Sequence, residues 1–172
     1  MSDGDVRVRV GGLVFEGGSG SDGFYIEADG LKNWFSGVDP RLNAIQKSQA
    51  HGDFDVPVFL DARLPVMSGL ILAPSPKVMA YRESRLSGLL AAGDRAQLVV
   101  DADLGTTWAW ARLGAKTDID PVVWGSLSSY QVTFWCPHPR RFGTVNTVAG
   151  TSVVKFHYGN FTATSTLVVS GS

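Results

Sequence analysis

The residues best equipped for chemistry stand together in "YQVTFWCPHPRRFG", Tyr130 to Gly143, where the only cysteine, Cys136, lies two positions from His138. A thiolate beside an imidazole makes a nucleophile, and with further Cys or His ligands the pair holds zinc. The spacing supports neither. In an extended strand His138 projects to the same side as Cys136 but about 6–7 Å further along, too far for a direct hydrogen bond. The other histidines, His51 and His157, are distant in sequence. Tyr130, Val132, Phe134 and Cys136 alternate onto one mostly apolar strand face, which predicts a buried, inert thiol. Pro137 and Pro139 remove backbone donors, so the stretch reads as a strand terminus that turns the chain out of its sheet.

The remaining candidates are weaker. His51-Gly52-Asp53 suggests a metal or acid–base pair, yet no second histidine stands at ligand spacing, and a loop turn is expected. Asp101-x-Asp103 and Asp118-x-Asp120 each sit at a strand end beside Gly or Pro, where Asp is favoured for turn hydrogen bonds. No oxygen-rich calcium-type loop surrounds them. Gly18-x-Gly20-x-x-Gly23 spells a dinucleotide fingerprint, but a strand follows it where a helix N-terminus would have to receive the pyrophosphate. The sequence therefore calls for no catalytic residue, metal or cofactor.

Aromatic residues offer binding rather than catalysis. Trp108, Trp110 and Arg112 share one face of "TTWAWARLG", with Ala109, Ala111 and Leu113 on the other. Stacked indoles beside a cation bind sugar rings or single-stranded bases; a Trp pair on a strand also serves as core or subunit contact. Trp34 and Phe35 are interface anchors or caps on the core.

These side chains need a scaffold, and the chain is long enough to build one. Its 172 residues are 44% hydrophobic, with 20 glycines and 8 prolines, which fits a strand-and-turn domain with a real core. A formal charge of -1 argues against binding a phosphate backbone as the main task. One cysteine permits no internal disulfide. No stretch approaches the ~18 apolar residues of a membrane span, and "MSDGDVRVRV" has no signal-type apolar region. The expectation is a soluble protein made in a cytoplasm, with no nucleic acid or membrane partner.

Period-two alternation marks a strand at Val6 to Val10, with Arg7 and Arg9 outward; Leu13 to Phe15 continues it after a Gly11-Gly12 kink. "GGSGSDG" then reads as the mobile tip of a hairpin whose second strand starts at Phe24. Leu31 to Pro57 lacks a pattern, and so long a connection suits reaching a partner. One or two strands follow, the clearer at Val66 to Ala73. Ser75 as N-cap and Pro76 at the first helical position open the single confident helix, 76–92, with Met79, Leu86, Leu89 and Leu90 on its apolar stripe and Gly93 as its stop. Further strands are expected at Ala96 to Asp103, Thr106 to Gly114 and Ser129 to Cys136.

This order, strand "SGLILAPSP", helix "KVMAYRESRLSGLLAAGD", strand "AQLVV", "WAWARL" and "YQVTFWCPHPRRFG", resembles the N-terminal domain of the distal tail proteins, or minor tail proteins, of long-tailed phages. Cys136-Pro137-His138-Pro139-Arg140 matches the family's x-Pro-x-Pro-Arg closure, with His138 where Asp is common, and His51-Gly52 matches its His-Gly turn. The resemblance covers roughly residues 5 to 145. It implies a mainly β fold of β-sandwich or split-barrel, tail-tube-like type with one flanking helix. It also implies a structural role at the virion tail tip, as a hexameric ring joining tail tube to baseplate. The partners so implied are the tail tube protein, the tape measure protein and the baseplate hub or tail-associated protein. Such a ring would manage exposed strand edges by pairing across heterologous contacts.

Residues 1–145 are thus expected to form the ring domain, with Trp34, Phe35, His51, Trp108, Trp110, Arg140 and Arg141 as subunit or partner contacts. Residues 146–172 are rich in Thr, Ser, Val and Gly, with strands expected at Val153 to Tyr158 and Thr166 to Ser170. They resemble the opening of the galectin-like domain of larger members. Asn160-Phe161-Thr162 is a glycosylation sequon on paper alone. Two alternatives stay open: another tail-tube-type virion subunit, and a carbohydrate-binding β-sandwich using Trp108 and Trp110.

Overall fold

The computed structural model describes residues 6–16, 23–42, 44–103 and 105–143, together with Thr166 and Val168. The hairpin-tip glycines 18 and 20, the sequon, the strand expected at 153–158 and, apart from Thr166 and Val168, the strand expected at 166–170 lie outside the described residues.

Alternating sequence builds the first hairpin. In β1 (Arg7–Val10) Val8 and Val10 are buried, and the two arginines face solvent. The partner β2 (Leu13–Glu16) buries Leu13 and Phe15. These strands pair antiparallel, Val10 opposite Leu13, so Gly11-Gly12 is not a kink in one strand but the turn between two. Both glycines take positive φ, 55° and 79°, as a two-residue hairpin turn with the sheet's own twist requires. The chain then enters β3 (Phe24–Lys32). This strand meets β2 in parallel, with Glu16 opposite Tyr25, so the expected antiparallel hairpin across residues 17–22 does not form.

Next come the short β4 (Pro40–Arg41) and β5 (Phe59–Leu60), which pair only with each other. A regular phase follows: Arg63, Pro65, Met67, Gly69 and Ile71 are buried, leading into and through β6 (Val66–Leu72). The helix α1 (Pro76–Ser87) starts as expected, the Ser75 hydroxyl accepting from the Val78 N–H. It stops a turn earlier than the apolar stripe suggests. Gly88 is a weak helix former, and the chain continues in tight turns, with Leu90 at φ 54° and Gly93 at φ 78°. Leu89 stays buried all the same.

The closing strands are β7 (Ala96–Ala102), β8 (Gly105–Leu113), β9 (Asp118–Val123), β10 (Leu127–Trp135) and β11 (Phe142–Gly143). Sequence patterning missed β9 because Pro121 interrupts it; β9 is an edge strand, where a missing donor is tolerated. The described residues form a nine-stranded sheet in the order β11-β8-β7-β1-β2-β3-β6-β10-β9, and β8 also pairs with β10 through Leu113 opposite Phe134. That extra pairing curls the sheet onto itself as a barrel or sandwich. Its interior holds Val8, Phe15, Phe24, Met67, Leu98, Val100, Ala109, Val132 and Phe134.

Tyr130 crosses this interior to donate its phenol to the Tyr25 carbonyl, 2.9 Å away on β3. It does so over Gly69, where a Cβ would lie 1.8 Å from the Tyr25 oxygen and 2.8 Å from the phenol. Burial, then the Glu27 charge, hold that phenol protonated well above its ordinary range. Gly69→Ala is expected to cost about 1–3 kcal/mol, since rigid backbone must move; thermal melting would show a loss of roughly 5 °C.

Candidate functional site

The "CPHPRR" exit is assembled from three segments around Arg63, which sequence reading passed over. Cys136 and Arg63 form an isolated antiparallel bridge, N–H to C=O in both directions at 3.0 and 2.9 Å. The Arg63 side chain turns inward and is 6% exposed. One of its terminal nitrogens donates to the carbonyls of Asn33, Trp34 and Ser36 at 2.8–2.9 Å, and its Nε donates to Pro139 at 3.2 Å. Desolvation, then the neighbouring Arg141 charge, pull its pKa below the ordinary arginine value. Backbone carbonyls take the place of a carboxylate. The signal was present in the sequence: Arg63 lies in phase with the inward Pro65, Met67 and Ile71.

Cys136 is fully buried, and burial pushes its thiol up to about 11, against a weaker opposing pull from Arg63. His138 is exposed, and its Nδ1 accepts from the Arg140 N–H at 3.2 Å. The two side chains therefore do not share a side as an extended strand would have them; the chain bends at Pro137 and puts one in the core and the other in solvent. No nucleophile–base pair results.

Trp34 and Phe35 part company. Trp34 is fully buried and donates its indole N–H to Thr107 Oγ1 at 3.2 Å, whereas Phe35 is 52% exposed. Arg141 spans both, its guanidinium 5.9 and 5.8 Å from the two ring centres. Arg140 is exposed beside it.

From the base at Trp34 an arm projects. Asp61 donates to the Asp39 carbonyl at 3.0 Å, β4 and β5 pair beyond it, and a bridge between Gln46 and Asp53 closes the tip. Every described residue from Asp39 to Asp61 is exposed except Val56. Leu42, Ile45, Phe54, Val58 and Phe59 are among them, and His51 lies in the tip turn beside Gly52 at φ 83°. The connection expected to lack structure is a two-stranded arm.

Trp108 and Trp110 lie on the outer face of β8, in edge contact at 6.0 Å, with Ala109 and Ala111 inward. Phe142 on β11 packs 4.8 Å from Trp108, and Arg95 sits 4.6 Å over Trp110. Neither indole belongs to the buried core: Trp108 is half-buried and Trp110 is exposed. The aspartates are engaged locally: Asp101 takes Arg9 and the Thr106 hydroxyl, and Asp118 takes Lys116. Among the described residues no group of three or more His, Cys, Asp or Glu is placed to hold a metal ion. Nor is any helix among them long and apolar enough to cross a membrane.

These features define a mostly β domain of barrel or sandwich type, with one flanking helix. Among solved structures it is similar to the Dit protein of phage SPP1, at a TM-score of 0.62 and 13% identity over 81% of this chain and 52% of that one. The chain thus spans about half the length of that structure, whose protein is described as a paradigm of the hub adsorption apparatus in phages infecting Gram-positive bacteria. No protein-family model matches the sequence, and no curated protein matches it. The mainly β fold with one flanking helix is thus the one expected, and it resembles that of a phage hub protein.

Two outcomes follow from the Arg63 and Cys136 environments. Arg63→Met should lose about 3 kcal/mol, because buried carbonyls lose their donor, and Arg63→Lys should not rescue it, lacking the forked donors; denaturant titration measures both. The Cys136 thiol has its folded pKa raised from 9.0 to about 11, so the folded state binds the proton more tightly. Its contribution to stability is complete below pH ~9 and is lost as pH rises toward ~11. At pH 8 the native thiol should resist iodoacetamide and react only on unfolding.

Proposed function

We propose that this chain is a structural subunit of a phage tail tip: a distal, or minor, tail protein whose copies form a six-fold ring between the tail tube and the baseplate hub. The observation that carries this reading is the arm. A two-stranded ribbon is marginal in water by itself, yet residues 39–61 expose apolar side chains along both strands, Phe54 at 54% and Phe59 at 60%. A surface of that kind is built to be covered. The likeness of fold to a phage hub protein supports a tail assembly role as the source of the cover.

In this reading residues 1–145 are the ring-forming domain, and residues 146–172 lead into a further β segment. The ring meets the tail tube protein on one face and the hub or tail-associated protein on the other, with the tape measure protein as a further neighbour. Trp34 supports the arm from inside, while Phe35, His51, Trp110, Arg140 and Arg141 supply contact surface. A tube subunit of the same fold would differ in stacking into long tubes. The carbohydrate module has less support, because Phe142 packs against Trp108 and Arg95 covers a face of Trp110, where a sugar ring would stack.

Native mass spectrometry and negative-stain imaging of the purified chain are expected to show closed rings of six. Joining Arg41 to Phe59 through Asn-Gly, a turn suited to that opposed pair, should abolish them while shifting the melting temperature by no more than a few degrees. Rings that survive removal of the arm would remove the observation on which this reading stands.

A further inference from the structure

The outer face around β8 has a composition of its own. Trp108, Trp110 and Arg112 point outward there. Arg95 stacks over Trp110 at 4.6 Å, and Trp135, exposed on β10, stands opposite Arg112. Phe142 extends the aromatic row on the β11 side. Among the described residues the ion pairs are Arg7–Glu16, Arg9–Asp101 and Lys116–Asp118. Neither Arg95 nor Arg112 belongs to one of those pairs: Arg95 lies over Trp110, while Arg112 donates one terminal N–H to the Gly93 carbonyl and faces Trp135 across the strand pair. The Arg95 guanidinium, stacked on an indole, keeps its in-plane N–H groups for an acid, and Arg112 keeps those that Gly93 does not take.

The arm tip is its complement. Asp53, Phe54 and Asp55 are consecutive and exposed, and none of those ion pairs takes either aspartate. Asp39 and Asp61 add negative charge at the base, against Arg41 and the Lys47 that sits 5.9 Å over the Phe54 ring. The 38–62 segment thus carries four acids and two fixed cations. At about 3.3 Å per residue the ribbon reaches at most roughly 30 Å from Pro40 to its tip, enough to lie across a neighbouring domain.

We propose that Asp53-Phe54-Asp55 of one copy docks on the Arg95–Trp110–Arg112 face of the next copy of this chain. The inference rests on the ring reading and names its contact. Phe54 packs against the exposed edge of Trp110 and against Trp135, clear of the ring faces that Phe142 and Arg95 cover, and the flanking carboxylates meet the two guanidiniums. Opposite charge sets register and speeds encounter, and the aromatic centre supplies most of the affinity. Because arm and face are different patches of one chain, the contact is heterologous; it runs head to tail and ends only when rotation closes it.

Charge reversal tests this without touching the core. Asp53→Lys/Asp55→Lys and, separately, Arg95→Glu/Arg112→Glu should each raise the concentration at which half the chains assemble by about tenfold or more, with melting lowered by no more than a few degrees. Mixed in equal amounts, the two variants should assemble again, now alternating one to one by native mass. Reversals that leave assembly intact overturn the docking while the ring reading stands, and so does loss without rescue on mixing, which means the two patches have different partners. A wild-type chain that stays monomeric, and whose Asp55→Cys and Arg112→Cys variants form no mixed disulfide under oxidation at high concentration, overturns both.

Discussion

A single buried cation organises the junction from which the arm of this fold projects. Arg63 joins the end of β3, the root of the arm, the approach to β6 and the exit from β10, using carbonyls from Asn33, Trp34, Ser36 and Pro139. A charge taken out of water is costly unless its donors are matched. Here the matching groups are backbone oxygens that would themselves be orphaned without it. Each side thus depends on the other: the guanidinium satisfies the carbonyls of an irregular bend, and the bend solvates the guanidinium. The bend then seats Trp34 in the core and leaves Phe35 outside, with Arg141 lying against both rings.

The closed sheet gives that junction something rigid to stand on. Closure requires β8 to meet β10, and the strands between must approach closely. Gly69 is where that requirement is sharpest, since Tyr130 on β10 reaches over it to Tyr25 on β3. The helix completes the other side: Glu83 accepts from the buried Ser128 hydroxyl at 2.7 Å, and Arg82 and Arg85 donate to the carbonyls of Leu72 and Gly12. Arg82 and Arg85 thus staple the helix to the sheet.

Much of this was legible in the sequence, for a physical reason: alternation and capping are local. Val8 and Val10, the Tyr130 to Cys136 face, and Ser75-Pro76 each declare themselves within a few residues. What failed was non-local. The parallel meeting of β2 with β3 and the role of Gly11-Gly12 depend on which strand lies next to which. Strand β9 was hidden by Pro121, acceptable only because it falls at an edge. Arg63 was readable by phase and was missed because a charge inside a strand pattern is ordinarily taken for an outward one. For Trp108 and Trp110, pattern gave the shared face but not whether that face met solvent.

The sheet edges bear on how copies could meet. The expectation that open edges pair across a ring assumes edges that invite pairing. This barrel offers few: β9 carries Asp118, Asp120 and Pro121, and β11 is two residues long. Charge, proline and brevity are the usual means of refusing an added strand. Apolar exposure lies instead on the arm and at the β9–β10 turn, where Trp124 is 87% exposed. Contacts made through such projections depend on side-chain complementarity, which is specific to one partner, whereas backbone pairing accepts almost any strand. A chain that must associate in one fixed order gains from that distinction, because protected edges leave the projections as the surfaces through which an assembly of this fold would grow.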